Sequence, residues 1–178
     1  MVEYSTVAAG LTALDIVTKT AAIEVLLAQV ICPGKYLILF CGSMGAVGAA
    51  LEAARSVLCL VDDFLLGRPH SDIFSALSTS ISPALPEKTA LGLVETQSCA
   101  AAVACADTAA KTAFVSLAEI RIAHGMCGKS TVLMTGEIAA VSAALENAKR
   151  HAQDKGMLLD TALIPSPNAQ MLAALRQV

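Results

Sequence analysis

The chain carries the same unit twice, and that repetition limits what it can fold into more than any other feature. Val2-Glu3-Tyr4-Ser5-Thr6-Val7-Ala8-Ala9 recurs as Val94-Glu95-Thr96-Gln97-Ser98-Cys99-Ala100-Ala101. The same 92-residue spacing (Glu3 to Glu95) carries Asp15 onto Asp107 and Lys19-Thr20-Ala21 onto Lys111-Thr112-Ala113. A two-residue insertion then sets the spacing at 94. It places Gly34-Lys35 on Gly128-Lys129, Gly42 on Gly136, and Val47, Ala50, Leu51, Glu52 and Ala54 on Val141, Ala144, Leu145, Glu146 and Ala148. Near the end the spacing is 98, and Pro69 meets Pro167. Small, ordered insertions between matched blocks are what duplication followed by loop drift leaves. Each copy has about 85–90 residues, an ordinary domain size. Ser78–Glu87, rich in Ser and Pro, reads as the connection. The expected boundaries are 1–82 for the first domain, 83–89 for the linker and 90–178 for the second domain.

Within a copy the periodicity is readable. Val7, Leu11 and Leu14 are spaced for a helix, with Asp15 and Lys19 as an i,i+4 pair on its outer face. An apolar stretch follows, 24–30 in one copy and 115–122 in the other, and then a loop holding Gly-Lys. Tyr36–Cys41 and the β-branched run Thr131–Thr135 read as strands. Gly42-Ser43 supplies a turn and cap for a second helix with Val47, Ala50, Leu51 and Ala54 on one face. A last strand, Val57–Val61 or Met157–Leu159, and a short helix complete the unit. The order β-α-β-β-α-β-α implies an α/β (α+β) sandwich, with helices on an antiparallel or mixed sheet.

Hydrophobic residues make up 56% of the chain but aromatics only 3%, so the core is built from Ala, Val, Leu and Ile in thin layers. Charged residues are 15%, against a norm of about 25%, which leaves little polar surface for a solitary monomer and points to self-association. A net charge of −3 without a Lys/Arg run argues against a nucleic-acid partner. Glu24, Lys35 and Pro33-Gly34 interrupt the most apolar region, so no membrane span is expected. The opening Met-Val-Glu-Tyr lacks the basic and apolar regions of a secretory signal, and a cytoplasmic location is expected. The six cysteines, at 32, 41, 59, 99, 105 and 127, form no C-x-x-C pair and no zinc-spaced set. In a reducing compartment they are thiols or cluster ligands rather than disulfides. Cys41, Cys59, Cys99 and Cys105 fall in strands or alanine-rich helix and are expected in the core.

Glu3, Asp15-x-x-x-Lys19-Thr-Ala, Gly34-Lys35, Gly42-x-x-x-Ala-Val47 and Arg68-Pro69-His70, in this order, resemble the bacterial microcompartment (BMC) shell domain. Two such domains in one chain resemble the tandem-domain shell proteins. The resemblance implies a homotrimer posing as a hexagonal tile (a pseudohexamer) that closes the shell together with other BMC shell proteins. Ile31-Cys32-Pro33-Gly34-Lys35 is similar to the central loop of those propanediol-utilisation tandem shell proteins that carry an iron–sulfur cluster. It implies Cys32 as a metal ligand, with one [4Fe-4S] cluster per trimer for electron transfer or cluster transport across the shell. Encapsulated redox enzymes are then possible partners. The chemistry is self-consistent, because one thiolate cannot hold a cluster whereas three converging copies supply three of its ligands. Ile31, Pro33 and Gly34 would shape the loop, Pro33 stiffening it and Gly34 permitting close approach.

The second copy departs from this pattern. His124, Gly125, Met126 and Cys127 complete the expected pore loops, but Met126 stands opposite Cys32 and Cys127 opposite Pro33. Cys127 therefore reads as a packed or pore-rim thiol, and His124 either faces the lumen or is an ordinary loop histidine. By resemblance, Lys19 and Lys111 meet neighbouring tiles across the seam, and Arg68 reaches into the adjacent tile. Pro165-Ser166-Pro167-Asn168 offers no arginine at the matching place. The lysines could instead be only solvated partners of Asp15 and Asp107.

Rival chemistries are weak. Ala123-x-x-x-x-Gly128-Lys129-Ser130 fits a relaxed P-loop, but a P-loop needs a helix at the lysine and Thr131–Gly136 is strand-like. Gly42-Ser43-Met44-Gly45 lacks the spacing of a nucleophile elbow. Asp62-Asp63 reads as a solvated strand end. No enzyme is expected. The alternative from a different class is a small-molecule-binding or regulatory trimer of duplicated α/β domains without a cluster.

Overall fold

A computed structural model of the chain describes residues 1–78, 89–123 and 125–175. Each copy yields the expected order of elements. The first gives β1 (Val2–Tyr4), α1 (Val7–Thr20), β2 (Glu24–Ile31), β3 (Lys35–Cys41), α2 (Met44–Arg55), β4 (Leu60–Asp63) and α3 (Asp72–Ser78). The second gives β5 (Ala90–Thr96), α4 (Cys99–Thr112), β6 (Val115–Ile122), β7 (Ser130–Gly136), α5 (Ile138–Asp154), β8 (Leu158–Ile164) and α6 (Ala169–Leu175). The sheets run β2-β3-β1-β4 and β6-β7-β5-β8, and all strand pairs are antiparallel. The duplication reaches the backbone irregularities. A register shift falls between Glu3 and Tyr4 and again between Glu95 and Thr96; another falls at Val25/Leu27 and again at Leu117/Glu119.

Two compact units result. One holds residues 1–68 with 98–100 and 123–128; the other holds 69–97, 101–122 and 129–178. The division follows packing rather than sequence copies, since α3 lies in the second unit against β6. The expected linker, 83–89, falls outside the described residues apart from Thr89.

Helix α1 starts where Thr6 accepts from the Ala9 N–H, and α2 where Ser43 accepts from Ala46, both at 3.3 Å. α1 buries Gly10, Ala13 and Val17, and α2 buries Ala50, Leu51 and Ala54. Together with Val2, Tyr4, Tyr36, Ile38 and Phe40 these form the core of the first unit. α5 repeats the face with Val141, Ala144, Leu145, Ala148 and Ala152. Alanine at the contact positions lets the helices sit close to the sheets.

The last strands correct the sequence reading. β4 opens at Leu60 rather than Val57, because the N–H groups of Ser56 and Val57 bond Ala53 and Ala54 carbonyls to close α2, and Cys59 has φ 71°. β8 runs on through Asp160-Thr161 to Ile164, held by its pairing with β5 despite those polar residues. Asp62-Asp63 is a half-buried bonded pair rather than a solvated end: Asp63 is clamped by Arg55 and Asp62 accepts from the Ser98 hydroxyl.

Tyr4 makes the first core sensitive to alkali. Its buried hydroxyl donates to the Ala54 carbonyl at 2.7 Å, satisfying an end group of α2. Burial, with Asp63 nearby, pushes its ionisation up to about 12 from 10.0. The folded chain thus keeps a proton that the unfolded chain releases first, so stability is full below pH 10.0 and falls between pH 10.0 and about 12. Thermal melts across that window should show this loss in the parent and a flatter dependence in Tyr4→Phe. Identical slopes would remove Tyr4 from the account.

Candidate functional site

The β2–β3 connection is a tight turn whose tip is Cys32-Pro33-Gly34. Ile31 and Lys35 form the last register pair, and the Gly34 N–H donates to the Ile31 carbonyl at 2.9 Å. Gly34 has φ 100°, a conformation that costs glycine little and other residues much. Ile31 is buried under the turn, while Cys32, Pro33 and Gly34 are exposed. The cysteine is thereby presented at the end of a hairpin with its thiol open to solvent.

The loop of the second copy lies against this turn within the same compact unit. A β-carbon at Gly128 would come within 3.1 Å of both the Cys32 carbonyl oxygen and Pro33 Cδ, and 3.2 Å from Lys35 Nζ. Gly128 also has φ 86°. Both the backbone conformation and the space at this position therefore demand glycine. Ala123, Cys127 and Gly125 have positive φ as well, so the loop is tightly wound. Cys127 is exposed and Met126 half-buried. His124 falls outside the described residues.

Beneath the turn sits a buried anchor. Lys35 Nζ lies 2.7 Å from Glu3 Oε1, and Glu3 Oε2 accepts from the Cys99 N–H at 2.8 Å. The Glu3 side chain is 0% exposed. The second copy repeats the ion pair between Lys129 and Glu95 at 2.7 Å, but there Glu95 is 26% exposed. This arrangement was readable only in outline: Glu and Lys recur at matching places in both copies, yet nothing in residue types says that they meet. Lys129 leads into β7 rather than a helix, so the P-loop-like stretch has no helix N-terminus to hold phosphate.

The other cysteines divide differently from expectation. Cys99 and Cys105 are buried, Cys105 donating to the Ala148 carbonyl at 3.3 Å. Cys41 is half-buried at a strand end, 4.0 Å from Glu24 Oε2. Cys59 is not a core residue: it is exposed in the turn before β4, because the late start of that strand leaves it outside the sheet. Its carbonyl accepts from the Ser5 N–H at 2.9 Å.

The expected edge residues are dispersed over the two units. Lys19 pairs with Asp15 at 2.7 Å, both exposed, in the last turn of α1. Lys111 pairs with Asp107 in the last turn of α4, but this aspartate is nearly buried and also accepts from the His70 N–H at 2.8 Å. Arg68 is exposed between β4 and α3.

The profile of the BMC domain matches residues 1–69 and 90–167. The bacterial microcompartment shell protein PduT of Citrobacter freundii is 34% identical over 173 residues, which cover 96% of this chain and 93% of that protein. The shell protein EutM of Salmonella typhimurium is 32% identical over 83 residues, covering 46% of this chain and 83% of EutM. Among solved structures, a microcompartment protein from Desulfitobacterium hafniense DCB superposes with a TM-score of 0.81 at 39% identity, covering 97% of this chain and 96% of the other. The fused permuted hexameric shell protein MSM0275 from the RMM microcompartment superposes at 0.68 and 22% identity over 85% and 79% of the two chains, which shows the shared fold.

Proposed function

This chain belongs to the BMC domain family, and from that premise we propose that it works as a homotrimeric shell tile with an iron–sulfur cluster held between its three copies. It is a structural microcompartment shell component rather than an enzyme, as its relatives are. No helix among the described residues is long and apolar enough to cross a membrane. The tile would sit beside other shell proteins, with Lys19, Lys111 and Arg68 at its lateral edges.

The observation that carries the cluster reading is the placement of Cys32: an exposed cysteine at the tip of a short, glycine-dependent turn on an antiparallel hairpin. Among the described residues of one chain, no three His, Cys, Asp or Glu side chains gather as a metal site. A cluster needs about four ligands, more than the described residues of one chain bring together, so this donor set fits a cluster shared between chains. Three copies would supply three Cys32 thiolates, leaving one iron for a non-cysteine ligand. When bound, the cluster supplies one-electron chemistry, suited to relaying electrons across the shell or to handing over the cluster itself. The chain's own task is positioning. The Lys35–Glu3 pair fixes the base of the turn, and Gly128 lets the second loop lie against Cys32 and Pro33.

Cys32→Ser tests this reading. Anaerobically prepared parent protein is expected to be brown with broad absorption near about 400 nm. The variant should remain trimeric by mass measurement and be colourless. Equal iron content in both proteins would overturn the cluster; a monomeric parent would overturn the tile.

A further inference from the structure

The Cys32 turn and the loop of the second copy carry one cysteine each, and the two cysteines stand on either side of one backbone contact. Gly128 is the residue of the second loop that meets the first. A β-carbon there would lie 3.1 Å from the Cys32 carbonyl oxygen and 3.1 Å from Pro33 Cδ. Cys127 is its neighbour in the chain, with its Cα about 3.8 Å away across the peptide bond. Cys32 and Cys127 are both exposed, and both loops belong to one compact unit. The remaining cysteines are placed otherwise. Cys99 and Cys105 are buried, Cys41 is half-buried at a strand end, and Cys59 opens in the turn before β4.

The stagger between the copies matters here. The repeat sets Met126, not Cys127, opposite Cys32. Moving the sulfur one residue on puts it beside the glycine that touches the first loop. It does so at φ 52°, a left-handed conformation that a side chain adopts at a cost and glycine does not. β-carbons at Gly34 and Gly125 would meet nothing within 4 Å, so the two tips have open space in which to shift. A disulfide asks for Cα atoms about 4.4–6.8 Å apart. The contact at Gly128 already brings the two backbones together, and movement of the exposed tips supplies the rest.

We propose that Cys32 and Cys127 of one chain are a redox-active thiol pair, which closes to a disulfide when no cluster is bound and the oxidant is a small-molecule disulfide such as oxidised glutathione. One cysteine sulfur attacks the small disulfide, forming a mixed disulfide and releasing one small thiol. The other cysteine then displaces the second small thiol, and the Cys32–Cys127 bond forms. Two electrons pass from the protein sulfurs to the small disulfide, and the two protons leave on the two released thiols. Because the loops already touch, the second attack is intramolecular and outcompetes a second small disulfide. The number of sulfurs favours the same pairing. Three Cys32 side chains around one axis cannot all pair with one another, whereas one Cys127 per chain gives each a partner. Closure takes Cys32 out of the donor set, so the closed site binds no cluster. That consequence rests on the function proposed above; the pair itself does not.

The experiment uses the full chain, reduced, freed of iron by a chelator and then exposed to oxidised glutathione. Trypsin digestion without reductant follows. Cleavage after Lys19, Lys35, Arg121 and Lys129 gives peptides 20–35 and 122–129, each with one cysteine. These two peptides are expected to be joined by a bond that dithiothreitol releases, in a monomer whose intact mass has fallen by two hydrogens. Cys127→Ser should instead carry glutathione on Cys32. A dominant Cys32–Cys32 link between chains, a link from Cys32 to Cys59, or glutathione on both Cys32 and Cys127 of the parent overturns the pair. Iron uptake during anaerobic reconstitution with ferrous iron and sulfide is the second measurement. The closed parent should take up no more iron than Cys32→Ser, and dithiothreitol should restore uptake. Full uptake by the closed parent overturns the block on cluster loading. A parent that joins 32 to 127 but takes up no iron even when reduced overturns the cluster and leaves the pair standing.

Discussion

Replacing Glu3 with alanine is expected to destabilise the fold by about 3–5 kcal/mol, the scale seen when one member of a buried ion pair is removed. The carboxylate is wholly buried and both its oxygens are in use, one on the Lys35 ammonium and one on the Cys99 N–H. Its loss takes the carboxylate away from a largely buried cation and from a buried helix N–H, and breaking both contacts at a desolvated site is costly. Glu3→Gln, which keeps an acceptor but not the charge, should fall between the parent and Glu3→Ala. Glu95→Ala is the internal comparison. Its pair with Lys129 is half in solvent, so below the concentration at which copies associate the loss should be at most about 1 kcal/mol. Urea unfolding of the three variants measures this order. Equal losses at positions 3 and 95 would show that the burial of Glu3 has no energetic weight.

The second large effect is expected at Gly10, on the buried face of α1. A β-carbon there would lie 2.3 Å from Tyr36 Cβ and 2.4 Å from its Cγ and Cδ1. These atoms are the root of the side chain on β3, so relief requires helix and strand to separate. Alanine would raise helix propensity by about 1 kcal/mol, but overpacking a buried contact typically costs about 1–3 kcal/mol and more when rigid atoms collide. The contact is far inside normal limits, so Gly10→Ala should lose about 2 kcal/mol net. The repeat offers the compensating change. The positions matching Gly10 and Tyr36 are Ala102 and Ser130, both fully buried, so one copy pairs no side chain with a large one and the other pairs two small ones. Gly10→Ala combined with Tyr36→Ser should therefore be more stable than the sum of the single losses implies. Strict additivity would mean that the two residues do not share one space.

The candidate site was legible to different depths at different residues. Cys32-Pro33-Gly34 reads as a turn because proline and glycine act locally, and the turn is there. Ser43 reads as a cap for the same reason. Cys59 was misplaced because its fate depends on where β4 begins to pair with β1, which apolar spacing alone does not report. Glu3 reads in the sequence only as a repeated motif residue, and its distance to Lys35 and to the start of α4 is what makes it an anchor.

By itself the sequence determined the duplication, the order of elements in each half, the helix starts and the glycine turns. All of these follow from hydrophobic period and from backbone preferences acting over a few residues. The tertiary structure decided how the two halves differ. It buried Glu3 and left Glu95 partly open, enclosed α4 and exposed one face of α1, and set Gly128 against the Cys32 turn. The physical reason is that burial and hydrogen-bond partnership belong to groups brought together from distant parts of the chain, so two copies of one motif meet different surroundings and do different things.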